Sequence, residues 1–278
     1  MTEASQTSSN PIGVYDSGVG GLSVLSAIRD LLPHENLIYL ADSGHMPYGQ
    51  KSQAFVTERA LAVTEYFLSK KAKAIAIPCN TATAAAIRVL RERYPQVPFV
   101  GIEPAIKPAA RMTKSGVIGV LATTGTLVSQ TFNELVRREA PNTEVLLKPC
   151  PGWVDLVESG KVAGADVEKL VAEPLSELLE KHADVLVLGC THFPFLLNAI
   201  RNFVGVELPV LETGQPFARQ LRFQLDKHQI LNPSPQRGSF KMVTSGEPDR
   251  LTKLTSTLLK MPESIDHWSV EKLPVAFC

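Results

Sequence analysis

Two cysteines stand in matching settings. Cys79 closes the apolar run Ala74-Ile75-Ala76-Ile77-Pro78 and leads through Asn80-Thr81 into an alanine-rich segment; Cys190 closes Val185-Leu186-Val187-Leu188-Gly189 and leads through Thr191-His192 to Pro194. Short apolar runs of this kind read as buried parallel strands, and the polar residues after each Cys read as the start of a helix, with Asn80 or Thr81 as the expected cap of the first. Each thiol then lies at the carboxyl end of a strand and the amino end of a helix. Unpaired N–H groups and the positive helix end favour a thiolate there. An unperturbed thiol is only about 3% ionised at pH 7, and lowering its pKa by one unit raises that to roughly a quarter. Such a position makes a base or a nucleophile of an ordinary side chain.

The elements around the thiols are arranged as two similar sets. Ile12-Gly13-Val14-Tyr15-Asp16-Ser17-Gly18 is echoed by Ile118-Gly119-Val120-Leu121-Ala122-Thr123-Thr124-Gly125 at nearly the offset that separates the two Cys motifs. A strand-and-turn pair and a strand-and-Cys pair at similar offsets predict two related halves built from βα units. The fold class expected is therefore α/β, with two pseudo-symmetric doubly wound domains, mostly parallel sheets and a site in the interdomain cleft. Residues 1–11, polar and Ser/Thr-rich, read as a disordered leader. Residues 12–103 with 215–278 form the first domain, and 104–214 the second. Within these, strands are expected at Ile12 to Tyr15, Leu37 to Ala41, Pro98 to Ile102, Val117 to Leu121, Glu144 to Lys148, Leu208 to Leu211 and Ser239 to Thr244. Helices are expected at Leu22 to Leu32, Ser52 to Lys70, from the 122–126 turn through Arg138, Trp153 to Glu158, Asp166 to Lys181, Phe217 to His228 and Pro248 to Met261. The tail after Pro262 carries no pattern that specifies chemistry.

Composition narrows the partner. Lys and Arg together number 28, as do Asp and Glu, so no general basic field invites nucleic acid or an anionic membrane. No apolar run approaches the ~18 residues of a membrane span, and four cysteines without close pairing suit a reducing, cytoplasmic setting. A small molecule is the expected ligand. The turn Asp16-Ser17-Gly18-Val19-Gly20-Gly21 resembles a dinucleotide fingerprint, but Ser23 stands where the third glycine belongs and Asp16 would face the pyrophosphate. Its glycines instead suit close backbone approach, with free N–H groups for an anion such as a carboxylate. Zinc on Cys79, Cys190 and His192 lacks the usual ligand spacing. Cys150 and Cys278 read as incidental, on the view that neither sits at a strand-to-helix turn.

Two thiols facing across a cleft allow more than one chemistry. A disulfide needs sulfurs about 2.05 Å apart, whereas two bases flanking one carbon stand roughly 7 Å apart. In the second case one thiolate removes a proton while the opposite thiol delivers one, and the stereocentre inverts. Asp16 is placed to assist Cys79, and His192 with Glu158 to assist Cys190. Plainer roles compete: His192 as a helix cap, Glu158 as a solvated helix-end charge, Thr123 and Thr126 as caps. At the level of the whole protein, a non-catalytic amino-acid-binding protein and a thiol hydrolase or redox enzyme also remain open.

Several motifs in order resemble the glutamate racemases of the cofactor-independent aspartate/glutamate racemase superfamily. They are Val14-Tyr15-Asp16-Ser17-Gly18-Val19-Gly20-Gly21-Leu22-Ser23-Val24-Leu25, Pro47-Tyr48-Gly49, Cys79-Asn80-Thr81-Ala82, Ala122-Thr123 with Thr126, and Gly189-Cys190-Thr191-His192-Phe193-Pro194. The resemblance implies interconversion of L- and D-glutamate without cofactor or metal, supplying the D-isomer for peptidoglycan. It implies Cys79 and Cys190 as proton donor/acceptors, with Cys79 acting on D-glutamate and Cys190 on L-glutamate. Substrate contacts follow at Asp16, Ser17, Pro47, Tyr48, Gly49, Asn80, Thr81, Thr123, Thr126, Thr191 and His192, the substrate ammonium meeting Asp16, with Glu158 as an auxiliary acid. The sequence departs from the pattern at Gly44-His45-Met46, where an Arg-containing run is common, and at Phe193, where Tyr is usual. Aspartate is the nearest alternative substrate, and the resemblance is compatible with a homodimer without fixing its arrangement.

Overall fold

The strand next to each Cys motif is apolar on both faces because both faces are covered. Ala74–Ile77 (β3) and Val185–Leu188 (β7) are buried at every residue, as expected for central strands of parallel sheets. The structure, a computed structural model, describes residues 8–259 and 270–278. Ile12–Asp16 (β1), Leu37–Ala41 (β2), Phe99–Gly101 (β4), Phe240–Thr244 (β9) and Val270–Lys272 (β10) join β3 in a sheet ordered β10-β9-β2-β1-β3-β4. Val117–Ala122 (β5), Glu144–Pro149 (β6) and Val210–Leu211 (β8) join β7 in a second sheet ordered β6-β5-β7-β8. Every pairing is parallel.

The order β2-β1-β3-β4 is repeated as β6-β5-β7-β8, which is the structural form of the echo in the sequence. In each sheet the chain first winds one way and then the other, and the two directions meet between β1 and β3 and between β5 and β7. Ligands of open α/β sheets bind at the carboxyl ends of strands where that reversal opens a crevice. The residues just past these four strands are Ser17, Cys79, Thr123 and Cys190. Topology alone brings the two thiols and two hydroxyls to switch points.

Several local expectations change. The segment after β5 is two helices, Thr124–Leu127 and Gln130–Glu139, because Ser129 starts a new one, its Oγ accepting from the Phe132 amide at 3.1 Å. β8 is only two residues long, and the helix expected from Phe217 begins at Gly214. The Pro248–Leu259 helix ends where description ends, so its expected close at Met261 lies outside the described residues. Of the expected disordered leader, residues 1–7 lie outside the described residues. Residues 8–11 are ordered: Ser8 is buried, its carbonyl accepting from Lys73 Nζ, whose ammonium pairs with buried Glu35. The tail also has structure. β10 extends the first sheet, and Leu273 is buried beside it.

Candidate active site

Cys79 caps its own helix. Its Sγ accepts from the Ala82 amide at 3.4 Å, so the thiol, rather than Asn80 or Thr81, takes the cap position of the Asn80–Arg93 helix. The Sγ also lies 3.7 Å from Ser17 Oγ. Burial, with the Asp16 carboxylate nearby, pushes this thiol up to about 12, against the pull of the helix-end amide. Cys79 is therefore held protonated while the site is closed.

Cys190 has different company. Its Sγ is 3.7 Å from Nδ1 of His192, whose Nε2 is 2.9 Å from Glu158 Oε1. Burial works against an imidazolium at His192, but Cys190 and Glu158 outweigh it and hold the ring well above the usual histidine range. One thiol is thus buried beside a carboxylate and the other beside a cation. Neither is in a disulfide.

The glycine turn after β1 does admit a carboxylate, but the protein supplies it. Val19 N–H donates to Glu158 Oε1 at 2.8 Å, and a Cβ on Gly18 would collide with that same oxygen. A Cβ on Gly20 would collide with His192 and Thr191. Gly18 and Gly20 are glycines because the acid and imidazole of the second sheet need that space. Glu158 is fully enclosed, unlike a solvated helix end, and Ser23 Oγ donates across the same junction to the Thr191 carbonyl at 2.9 Å.

Ser17, Pro47, Tyr48, Gly49, Cys79, Asn80, Thr81, Thr123, Cys190, Thr191 and His192 all line one cavity, joined by Val154, which sequence reasoning missed. Asp16, Glu158 and Thr126 stand behind that lining. Asp16, expected at the substrate ammonium, has both oxygens engaged, by Gly18 N–H at 2.8 Å and Thr191 Oγ at 3.0 Å. Burial raises its carboxyl to about 6, with His192 pulling the other way. Thr126 completes a triangle of hydroxyls with Thr81 and Thr123, at 3.0 to 3.2 Å, that ties the two halves together. The Oδ1 of buried Asn80 has no partner. Cys150 proves to sit at a strand-to-helix turn after all, between β6 and the Trp153–Glu158 helix, and its thiol is pushed up by burial and by Cys190.

The cavity measures about 20 Å³, close to the room one water needs. Hollows of about 490 and 360 Å³ lie elsewhere, but neither is lined by a thiol. Chemistry, not size, selects the small one. Little free room is left between the two thiols in the form described. Among the described residues no cluster of three or more His, Cys, Asp or Glu is assembled to hold a metal, and no helix is long and apolar enough to cross a membrane.

A family model for Asp/Glu/hydantoin racemases matches residues 22–221. The chain belongs to that family. It is 48% identical to a glutamate racemase of Ectopseudomonas mendocina, with 90% of this chain and 94% of the relative covered. Among solved structures it is similar to glutamate racemase from Francisella tularensis in complex with D-glutamate, at TM-score 0.84 and 27% identity over 97% of this chain and 98% of that one. It is also similar to Escherichia coli glutamate racemase in complex with L-glutamate and the activator UDP-MurNAc-ala, at TM-score 0.80 and 31% identity over 95% and 98%. The racemase is accordingly an isomerase with the two-domain α/β fold of these relatives.

Proposed function

We propose that this racemase interconverts L- and D-glutamate by a two-base proton transfer at the α-carbon and supplies D-glutamate for peptidoglycan. The observation that carries the reading is the pairing of two free, differently supported thiols, at symmetry-related strand ends, on one cavity. Cys190, with the His192 cation beside it, removes the α-proton of L-glutamate, while protonated Cys79 delivers a proton to the opposite face. The reverse direction exchanges the roles. Negative charge that develops on the α-carboxylate is met by the amino end of the Asn80–Arg93 helix and by the threonine hydroxyls. The orphaned Asn80 Oδ1 accepts from the substrate ammonium, a buried acceptor finding its donor only when substrate is bound. Asp16, set behind Ser17, acts on Cys79 by keeping its thiolate basic. The complexes of the two relatives with D- and L-glutamate support the choice of substrate.

The test is circular dichroism of enantiopure glutamate and aspartate incubated with the protein in D₂O without pyridoxal phosphate. Loss of glutamate's signal with deuterium gained at the α-carbon is expected from either enantiomer. A signal that decays only with aspartate moves the substrate, and one that never decays ends the catalytic reading.

Glu158→Gln should lower kcat/KM about tenfold at pH 8. Glu158 helps hold His192 protonated, so removing its charge lowers the pH at which the imidazolium is lost. The alkaline limb of the pH–rate profile should therefore move to lower pH. An unmoved limb would remove Glu158 from this role.

A further inference from the structure

Tyr48 lines the cavity, yet its hydroxyl is occupied elsewhere. It donates to Asp42 Oδ2 at 2.5 Å and lies 2.5 Å from the Tyr15 hydroxyl, with the two rings edge to face at 6.3 Å. Tyr48 therefore presents its ring and the Tyr48-Gly49 backbone to the site. Asp42, fully buried at the end of β2, is gripped on the other side by Arg59 of the Gln53–Ser69 helix: Nε donates to Oδ2 at 2.9 Å and Nη2 to Oδ1 at 3.0 Å. His45 Nδ1 lies 3.0 Å from Asp42 Oδ1. Burial opposes the charge, but hydrogen bonds from Arg59, Ser245 and Tyr48 hold the carboxyl below its ordinary value. The same Arg59 Nη2 donates to the Phe277 carbonyl at 3.0 Å. That end of the tail is docked by the Phe277 ring, edge to face on Tyr66 at 5.5 Å, and by Leu273, whose N–H donates to Thr244 O at 2.7 Å.

We infer that Arg59 and Asp42 are positioning residues for substrate, and that the docked C-terminal tail fixes the Tyr48-Gly49 wall of the site through them. The chain of contacts runs from Phe277 to Arg59, Asp42 and Tyr48 without a gap. Its far end has little slack: a Cβ on Gly49 would collide with Thr123 of the other half, and a Cβ on Gly125 would stand 3.0 Å from the Gly49 carbonyl. A small displacement of the Tyr48-Gly49 turn thus changes both a cavity of about 20 Å³ and the contact that closes it. The planar guanidinium grips both Asp42 oxygens from two nitrogens and still reaches the tail carbonyl, whereas an ammonium donates from one nitrogen and lacks that bidentate fork.

The inference rests on the glutamate reading, and one set of kinetics separates the two. Steady-state racemisation of glutamate is measured for the wild type, Arg59→Lys, Phe277→Ala and the double variant, each checked for native thermal unfolding. Expected are KM raised about tenfold by Arg59→Lys and about threefold by Phe277→Ala, kcat within twofold in both, and a double variant no worse than Arg59→Lys alone, as for residues acting in one chain. KM within twofold of wild type in both single variants overturns the inference, as does a fall in kcat matched by lost folded protein at constant KM. Should Arg59→Lys fail to fold, Phe277→Ala decides, since it alters only a side chain at the chain end. A wild type that turns over aspartate but not glutamate defeats the substrate assignment, and the relay is then judged by KM for aspartate.

Discussion

Cys79→Ser and Cys190→Ser will each lose glutamate racemisation by about 10³-fold, equally in the two directions. A serine hydroxyl is far too weak an acid to share a proton with the α-carbon at neutral pH, and positioned proton transfer contributes roughly 10² to 10⁴ in rate. Equality of the two directions follows from thermodynamics: enantiomers have the same free energy, so within each variant kcat/KM must fall by the same factor for L- and for D-glutamate. What separates the thiols is a reaction that uses only one of them. A glutamate analogue with a leaving group on the β-carbon eliminates once a single base has taken its α-proton. Cys190→Ser should still eliminate from the D-analogue, where Cys79 is the base, and Cys79→Ser from the L-analogue. Progress curves by circular dichroism and release of the leaving group measure both. Wild-type-like racemisation by either variant would refute the two-thiol assignment.

Asp16→Asn should cost activity and add stability, and the two effects should part with pH. The carboxyl is wholly buried and its pKa is raised to about 6, against about 3.9 in an unfolded chain. A raised folded value means that the favourable contribution is present below the unfolded pKa and is lost as pH rises through about 6; above that the native state carries a buried charge. Replacing it with a neutral isostere should stabilise the protein by up to about 3 kcal/mol at pH 8 and by almost nothing below pH 4. Asn can still accept from Gly18 N–H and reach Thr191. The same change removes the negative neighbour that keeps the Cys79 thiolate basic, and kcat/KM should fall about 100-fold. Chemical denaturation at the two pH values and racemisation at pH 8 check the pair. A variant less stable than wild type at pH 8 would contradict the role of burial at this position.

Much of this arrangement could be read along the chain. A strand that ends in Cys, followed by residues that start a helix, is a local instruction: backbone propensity places the thiol at the strand end whatever surrounds it. The repeated motifs likewise pointed to two related halves, because each echo lies within one βα unit; the order β2-β1-β3-β4 of one sheet recurs as β6-β5-β7-β8 in the other. Even the glycines after β1 announced a close approach. The approaching group was not legible. It is Glu158, whose place in a short helix gives no hint that Val19 N–H, 139 residues earlier, donates to it.

The amino-acid sequence by itself determined the two thiols, their strand ends and the turns beside them, since these depend on contacts within about twenty residues. The sequence already placed Asp16 with Cys79 and His192 with Cys190; tertiary structure decided how they act, burying Cys79 beside the Asp16 charge and joining His192 to Glu158 at 2.9 Å. It also moved Asp16 behind the lining and joined Arg59 to a tail carbonyl 218 residues away. An arginine inside a helix reads as a surface charge, and a tail without periodicity reads as nothing. The physical reason is the same in each case: local sequence sets backbone geometry, but the field and the shape at a site between two sheets are set by whatever the opposing sheet brings to it.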